Sequence, residues 1–299
     1  MKVCIIVLDY NSGKYIDACL RSLQKINYSD YTVVVVDSGS TDGSLEKIKK
    51  DYPQFRTIGS DLNVGYAGGN NLGLKYAIEN NFDAAWIVNP DVTVDRDALA
   101  ELVKLATSQD KIAVIGSKVY FQKGFEFHKD RYTKKDLGKV IWFAGGRMDW
   151  ENVYAVHVGM DEVDHGQYDQ SGEVDLLTGA SMLVKTEALK QVGLIDEKYF
   201  LYYEENDLCQ KIKQAGWSLW YCPESVVWHA NAQATIAGSN LVDYYTTRNR
   251  LMFGLRWAPI RTKFSLLLES LRMLVSGRTW QRRGVADYFL GNFGKGSYA

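Results

Sequence analysis

Val3-Cys4-Ile5-Ile6-Val7-Leu8-Asp9-Tyr10-Asn11-Ser12 is the stretch on which the fold turns. Six apolar residues, most of them β-branched, run straight into a polar cluster. An apolar run without polar alternation reads as a strand buried on both faces. Similar runs recur at 32–36, Ala84–Val88 and 112–119. Between them lie segments with helical spacing, at 15–26, Ser44–Asp51, 67–80 and 97–107. Strands alternating with helices predict an α/β fold, with a parallel sheet covered on both faces and right-handed crossovers.

Three of these strands end in polar clusters: Asp9-Tyr10-Asn11-Ser12, Asp37-Ser38-Gly39-Ser40 and Asn89-Pro90-Asp91. Ligands of open α/β sheets bind at the carboxyl ends of strands. Asp9, Asn11, Asp37, Ser38, Asn89 and Asp91 are therefore candidate ligand contacts. An acid at such an end suits a base, a ribose, or a hard cation carried on a diphosphate. Asp37 reads equally as a helix cap, and Asn89-Pro90-Asp91 as a turn. The segment Asn63-Val64-Gly65-Tyr66-Ala67-Gly68-Gly69-Asn70-Asn71 opens a helix. Its glycines allow close approach of backbone to a ligand, and helix-start N–H groups attract phosphate. A tight turn with a loose helix start is the plainer reading.

Composition narrows the class. The chain has 299 residues, 46% of them hydrophobic, and a formal net charge of -1, which gives no signal for nucleic acid. Cys4, Cys19, Cys209 and Cys222 form no C-x-x-C pair, so reduced, buried thiols are expected. No stretch of about 18 uncharged apolar residues occurs, and a cytoplasmic protein is expected. Residues 240–299 hold ten Lys/Arg against three Asp/Glu. A basic end on an acidic body suggests a surface-binding segment, and a solvated helical face explains it too.

Beyond residue 120 the pattern loosens. The stretch 174–185 reads as a strand around a kink at Thr178-Gly179-Ala180, 203–216 as a helix ended by Gly216, and 217–221 as a strand. From Asp243 onward the pattern is helical. Glu204-Glu205-Asn206-Asp207 starts the 203–216 helix directly after an aromatic run. First-turn acids match the helix dipole, yet aromatic neighbours also raise a carboxylate pKa toward that of a general base. His229 follows Val226-Val227-Trp228; by itself it is a satisfied polar residue or a metal ligand, gaining weight if Asp91 lies nearby.

Together these residues resemble family 2 glycosyltransferases of the GT-A fold, most of all the rhamnosyltransferase-like branch that builds bacterial surface polysaccharides. The resemblance spans about residues 3–250. It rests on ordered motifs at 6–12, 36–44, 63–71, 89–92, 177–185 and 200–217, and on Trp228-His229. It implies a Rossmann-like, mixed and mostly parallel sheet flanked by helices. The catalytic domain would occupy 1–240, with a nucleotide-binding half over 1–120 and an acceptor and metal half over 120–240. A basic helical region would follow over 241–299.

The resemblance also implies an inverting, metal-dependent transfer. The donor would be a nucleoside diphosphate sugar of dTDP-rhamnose or UDP-hexose type, and the acceptor a glycan or lipid-linked glycan. Asp9 and Asp37 would contact the nucleoside, with Gly65 and Asn70 nearby. The acid that holds Mn²⁺ or Mg²⁺ falls on Asp91, with Asn89 in place of the first acid of the motif. His229 matches a histidine that completes metal or diphosphate binding. Thr178 and Gly179 fall in a segment lining the sugar and acceptor pocket. The usual base falls on Glu205, one methylene longer than the family's aspartate, with Glu204 and Asp207 as alternatives. Asp9 stands where relatives carry Asn or Thr. Arg248 and Arg250 are candidates for phosphate contacts or plain helix arginines. The Q-x-x-R-W motif of processive synthases is missing, and there are no membrane spans, so single-sugar addition is expected.

Two other classes compete. A sugar-phosphate nucleotidyltransferase would carry a Gly-rich basic loop after the first strand, but 9–14 holds one glycine and one lysine. A catalytically silent nucleotide-sugar-binding module stays open because glutamate occupies the base position. The basic tail over 244–283 suits peripheral contact with anionic headgroups at the inner face of the cell membrane. Core packing or a homodimer contact explains the same leucines.

Overall fold

The structure, a computed structural model, describes residues 1–230 and 238–298. In chain order the elements are β1 (Val3–Asp9), α1 (Ile16–Leu23), β2 (Tyr31–Ser38), α2 (Ser44–Asp51), β3 (Arg56–Ser60), α3 (Gly65–Glu79), β4 (Ala84–Val88), β5 (Val92–Val94), α4 (Ala98–Ser108) and β6 (Ile112–Phe121). Then follow β7 (Ile141–Phe143), β8 (Gly146–Asp149), β9 (Tyr154–His157), β10 (Gly172–Glu173), β11 (Ser181–Lys185), α5 (Thr186–Val192), α6 (Glu204–Gln214) and β12 (Ser218–His229). The chain ends in α7 (Asn240–Trp257), α8 (Ile260–Ser276) and α9 (Thr279–Leu290).

The main sheet runs β10-β12-β6-β11-β4-β1-β2-β3, with β5 on β12 and β7 on β6, while β8 and β9 form a separate hairpin. β1 lies between β2 and β4, parallel to both, and every one of its residues is buried. That burial on both faces is why its apolar run does not alternate. The register pairs Asp9 with Asp37 and Val7 with Val88. The carboxyl ends of β1, β2 and β4 therefore share one edge.

Gly69 of the 63–71 segment and Gly73 just beyond it have a packing role. A Cβ on Gly69 would lie 2.4 Å from Leu8 Cδ1, and one on Gly73 2.6 Å from Ile6 Cγ2. Gly69 and Gly73 let α3 press onto β1.

The sheet is mixed, and the exception has a topological cause. β6 ends at the carboxyl edge, the chain stays there through a long excursion, and β11 re-enters from the same side. It must run antiparallel to both β4 and β6. The strand expected over 174–185 forms only from Ser181. Ahead of it Ala180 N–H donates to Thr178 Oγ1 (3.2 Å), and Asn89 N–H donates to the Ala180 carbonyl (3.1 Å). The strand expected over 217–221 continues to His229 past a register shift between Cys222 and Val226. Pro223 lies in that shift, where it owes the ladder no N–H.

The C-terminal helices pack on the domain rather than hang from it: Tyr244, Tyr245, Leu251 and Phe253 of α7 are buried. The four cysteines are free and buried. Among the described residues no helix is long and apolar enough to cross a membrane.

Candidate active site

The strand-end clusters are laced together. Asp9 is fully buried; its Oδ1 accepts from Ser12 N–H (3.1 Å) and the Ser12 hydroxyl, and its Oδ2 has no partner among the described residues. Asp37 accepts from the N–H groups of Gly39 (3.2 Å) and Ser40 (3.3 Å). It thus closes the turn after β2 and is not the cap of α2, a position held by Gly43. Asn11, in the left-handed region at φ 53°, accepts from Thr41 N–H (2.8 Å). Ser38 Oγ accepts from Val64 N–H (3.1 Å), which ties β2 to the start of α3.

Gly65 is at φ 75°, and a Cβ there would stand 2.5 Å from the Phe200 ring. Only glycine lets the segment before α6 close onto α3 at this point. Asn70 donates to the Tyr66 carbonyl (3.0 Å), leaving its Oδ1 buried and unpartnered among the described residues.

Asp91 and His229, 138 positions apart in sequence, meet at this edge with Nε2 3.1 Å from Oδ1. The antiparallel pairing of β5 and β12 sets His229 opposite Val92, next to Asp91. The His229 ring stands edge-on to Trp142, with centroids 4.6 Å apart, and its Nδ1 is buried without a partner among the described residues. His157 packs against the same indole at 4.6 Å. Burial pushes the His157 imidazole down to about 4, with the nearby His229 adding to the effect.

Glu204 and Glu205 open α6 as a hydrogen-bonded carboxyl pair. Burial raises both pKa values, and the neighbouring Glu205 raises Glu204 further. The charge of Glu205 makes Glu204 the harder of the two to ionise. Tyr66, whose phenol is pushed well up by burial and then by both glutamates, donates to the Gly179 carbonyl (2.8 Å). Tyr66 thus ties α3 to the Thr178–Ala180 segment, whose Ala180 carbonyl accepts from Asn89, two residues before Asp91, and it lies within electrostatic reach of the glutamate pair.

The approach to α6 is strained. Phe200, Tyr202 and Tyr203 hold φ values of 65°, 69° and 73°. Non-glycine residues in that region cost on the order of 1–3 kcal/mol each and persist where the surroundings dictate them. The dictating groups come from α7. Arg248 is fully buried and donates to the carbonyls of Lys198 (3.2 Å) and Tyr199 (2.9 Å). The structure thus spends Arg248 on the backbone under the site, not on a phosphate. Arg250 is likewise committed, to Glu269 (2.8 Å) and the Asn152 carbonyl (2.8 Å).

Asp207 sits apart from the two glutamates. It accepts from Trp257 Nε1 (2.7 Å), Arg256 (3.1 Å) and the Tyr199 hydroxyl (3.3 Å), with Lys211 at 3.6 Å. A carboxylate so engaged is a structural anchor. Tyr66, His157 and Asn249 went unnoticed in sequence because each lies in a segment whose periodicity says nothing about distant partners. A cavity of about 670 Å³, lined by Tyr120, Asp164 and Trp228, lies on the other face of β12 from His229.

The family profile described as "Glycosyltransferase like family 2" matches residues 2–253. The chain is 26% identical over 243 residues to the N-acetylglucosaminyl-diphospho-decaprenol L-rhamnosyltransferase of Mycobacterium tuberculosis, covering 77% of this chain and 76% of that one. It is 23% identical over 227 residues to the rhamnosyltransferase WbbL of Escherichia coli K12, covering 74% and 80%. Among solved structures, it is similar to the mannosyltransferase PcManGT of Pyrobaculum calidifontis in complex with GDP-Man and Mn²⁺. There the TM-score is 0.56 at 17% identity, over 97% of this chain and 74% of the other. At that identity the likeness shows the fold, GT-A.

Proposed function

From the premise that this chain belongs to the glycosyltransferase-like family 2, we propose that it transfers one sugar from a nucleoside diphosphate donor to a hydroxyl of a glycan or lipid-linked glycan, with inversion. The rhamnosyltransferase relatives favour a donor of dTDP-rhamnose type, with UDP-hexoses the alternative. The observation that carries the reading is the carboxyl pair of buried Glu204 and half-buried Glu205, within electrostatic reach of Tyr66, together with Asp91 meeting His229 at the sheet edge.

In this reading Glu205 accepts the proton of the acceptor hydroxyl. The acceptor oxygen bonds to the anomeric carbon, and the bond from that carbon to phosphate oxygen breaks with its electron pair on the diphosphate. Glu204 holds its own proton and orients Glu205 through their hydrogen bond. The strand-end groups Asp9, Asn11, Asp37 and Ser38 shape the nucleoside end, with Gly65 and Asn70 beside them, and Thr178 and Gly179 border the sugar.

Asp91 and His229 fit a divalent ion: a carboxylate oxygen and an imidazole nitrogen already face each other. Among the described residues no cluster of three or more His, Cys, Asp or Glu forms, so diphosphate oxygens would complete the shell. When bound there, Mn²⁺ or Mg²⁺ supplies positive charge against the leaving diphosphate.

The test is release of nucleoside diphosphate from dTDP-rhamnose and UDP-hexoses by the wild type, Glu205→Gln and Asp91→Ala. Loss of about 10²–10⁴-fold in Glu205→Gln is expected. Wild-type turnover in both variants would reject the mechanism. Release of pyrophosphate from a nucleoside triphosphate and a sugar 1-phosphate, with no turnover of these donors, would instead assign a nucleotidyltransferase.

A further inference from the structure

Helix α8 is apolar on its wrong side. Thr262, Leu266 and Ser270 are buried against the protein. Set at 100° per residue, they mark one side of the helix, and Ile260, Phe264, Leu268, Leu271 and Val275 fall on the opposite side. That outward stripe is open to solvent: Val275 is 83% exposed, Ile260 69%, Phe264 63% and Leu268 59%. Over 17 residues the stripe is about 25 Å long. Folding of this chain gains nothing from it, and a contiguous apolar patch at the surface marks an interaction site.

The charges around the stripe say what covers it. On the same wheel Arg261 and Arg272 border one edge and Lys263 the other. Residues 260–290 hold six Lys/Arg and two Asp/Glu. Both acids are already paired within the chain: Glu269, half-exposed, with Arg250, and buried Asp287 with Tyr244 and Ser297. The surface thus offers an apolar strip with Arg261 and Arg272 along one edge and Lys263 on the other, the pattern of a helix that lies in the headgroup layer of an anionic bilayer. A second protein would need matched carboxylates along both edges; an anionic membrane supplies negative charge at every position.

We infer that the outer face of α8 docks this protein onto an anionic lipid bilayer. The sequence expectation covered 244–283, but the residues of α7 named above are buried, so the contact belongs to α8. The inference rests on the helix surface alone and not on the transfer reading.

The experiment is flotation of the full chain with vesicles of phosphatidylcholine, with and without phosphatidylglycerol. The wild type should float with the anionic vesicles and stay behind with pure phosphatidylcholine. Phe264→Glu with Leu268→Glu should abolish binding, and Arg261→Gln or Arg272→Gln should each weaken it roughly fivefold. Circular dichroism and thermal melting should match the wild type, because these side chains touch solvent. Equal flotation of the double variant would overturn the inference. So would a lipid-independent dimer that the same substitutions dissociate, since the face would then bind a second copy.

Discussion

Asn249 on α7 places its Nδ2 within hydrogen-bond distance of the carbonyls of Tyr199 (2.9 Å), Leu201 (2.7 Å) and Tyr202 (2.8 Å), which share its two N–H groups, and so holds the strained segment that delivers Glu205. One buried amide, with Arg248 beside it, fixes backbone that left-handed tyrosines would otherwise abandon. Helix α7 thus braces the segment that leads into the candidate site.

Asn249→Ala leaves these carbonyls without that donor. Stability should fall by about 3 kcal/mol in urea melts. Turnover should drop about 100-fold, because Glu205 is misplaced, while nucleotide affinity changes far less. Full turnover in a destabilised variant would separate the brace from the chemistry.

Glu204 is held protonated by burial and by Glu205. A carboxyl whose folded pKa is raised contributes stability that is complete below the unfolded pKa and is lost as pH rises through the folded one. Glu204→Gln removes that loss. The variant should match the wild type in stability near pH 4 and exceed it at pH 8, when both are melted across the range. Because glutamine still donates to Glu205, its turnover should stay within about tenfold of wild type, against the far larger loss for Glu205→Gln. Equal losses in the two variants would mean that the assignment of base and orienter is wrong.

His157 gives the opposite pH signature. Its pKa is about 4 in the folded chain against an ordinary 6.5. The unfolded chain binds the proton first, so stability falls as pH drops from 6.5 toward 4, by up to about 3 kcal/mol. His157→Phe should flatten the stability profile over that window. Parallel profiles for variant and wild type would show that another group titrates.

If Asp91 and His229 hold the cation, Asp91→Ala and His229→Ala should each weaken Mn²⁺ binding in the presence of a nucleoside diphosphate by at least about tenfold. Free Mn²⁺ measured by electron paramagnetic resonance checks this without relying on turnover. Chelation by EDTA should stop product release in the wild type, and added Mn²⁺ or Mg²⁺ should restore it. Unchanged affinity in both variants would move the ion elsewhere.

Gly65→Ala forces a Cβ into the Phe200 ring at a backbone angle that L-residues avoid. A loss of at least about 2 kcal/mol is expected in melts. Gly43→Ala shares the positive φ but meets nothing within 4 Å, so it should cost only about 1–2 kcal/mol. Similar losses at both positions would remove the case for close approach at Gly65.

Sequence by itself determined the layered core and one edge of the site. Unalternating apolar runs such as Val3 to Leu8 can only be strands buried on both faces, and the polar residues that end them must then share an edge. The acids at 204 and 205, with aromatic neighbours, also announced themselves as perturbed carboxylates. Tertiary structure alone decided the rest. It decided that β11 runs backwards, that Asp207 and Arg248 are spent on internal partners, and that α7 braces the loop beneath Glu205. It also decided which side of α8 faces out. The reason is physical: local pattern records which groups want burial or water, whereas hydrogen bonds such as those from Asn249 to residues about 50 positions away exist only once the chain has closed.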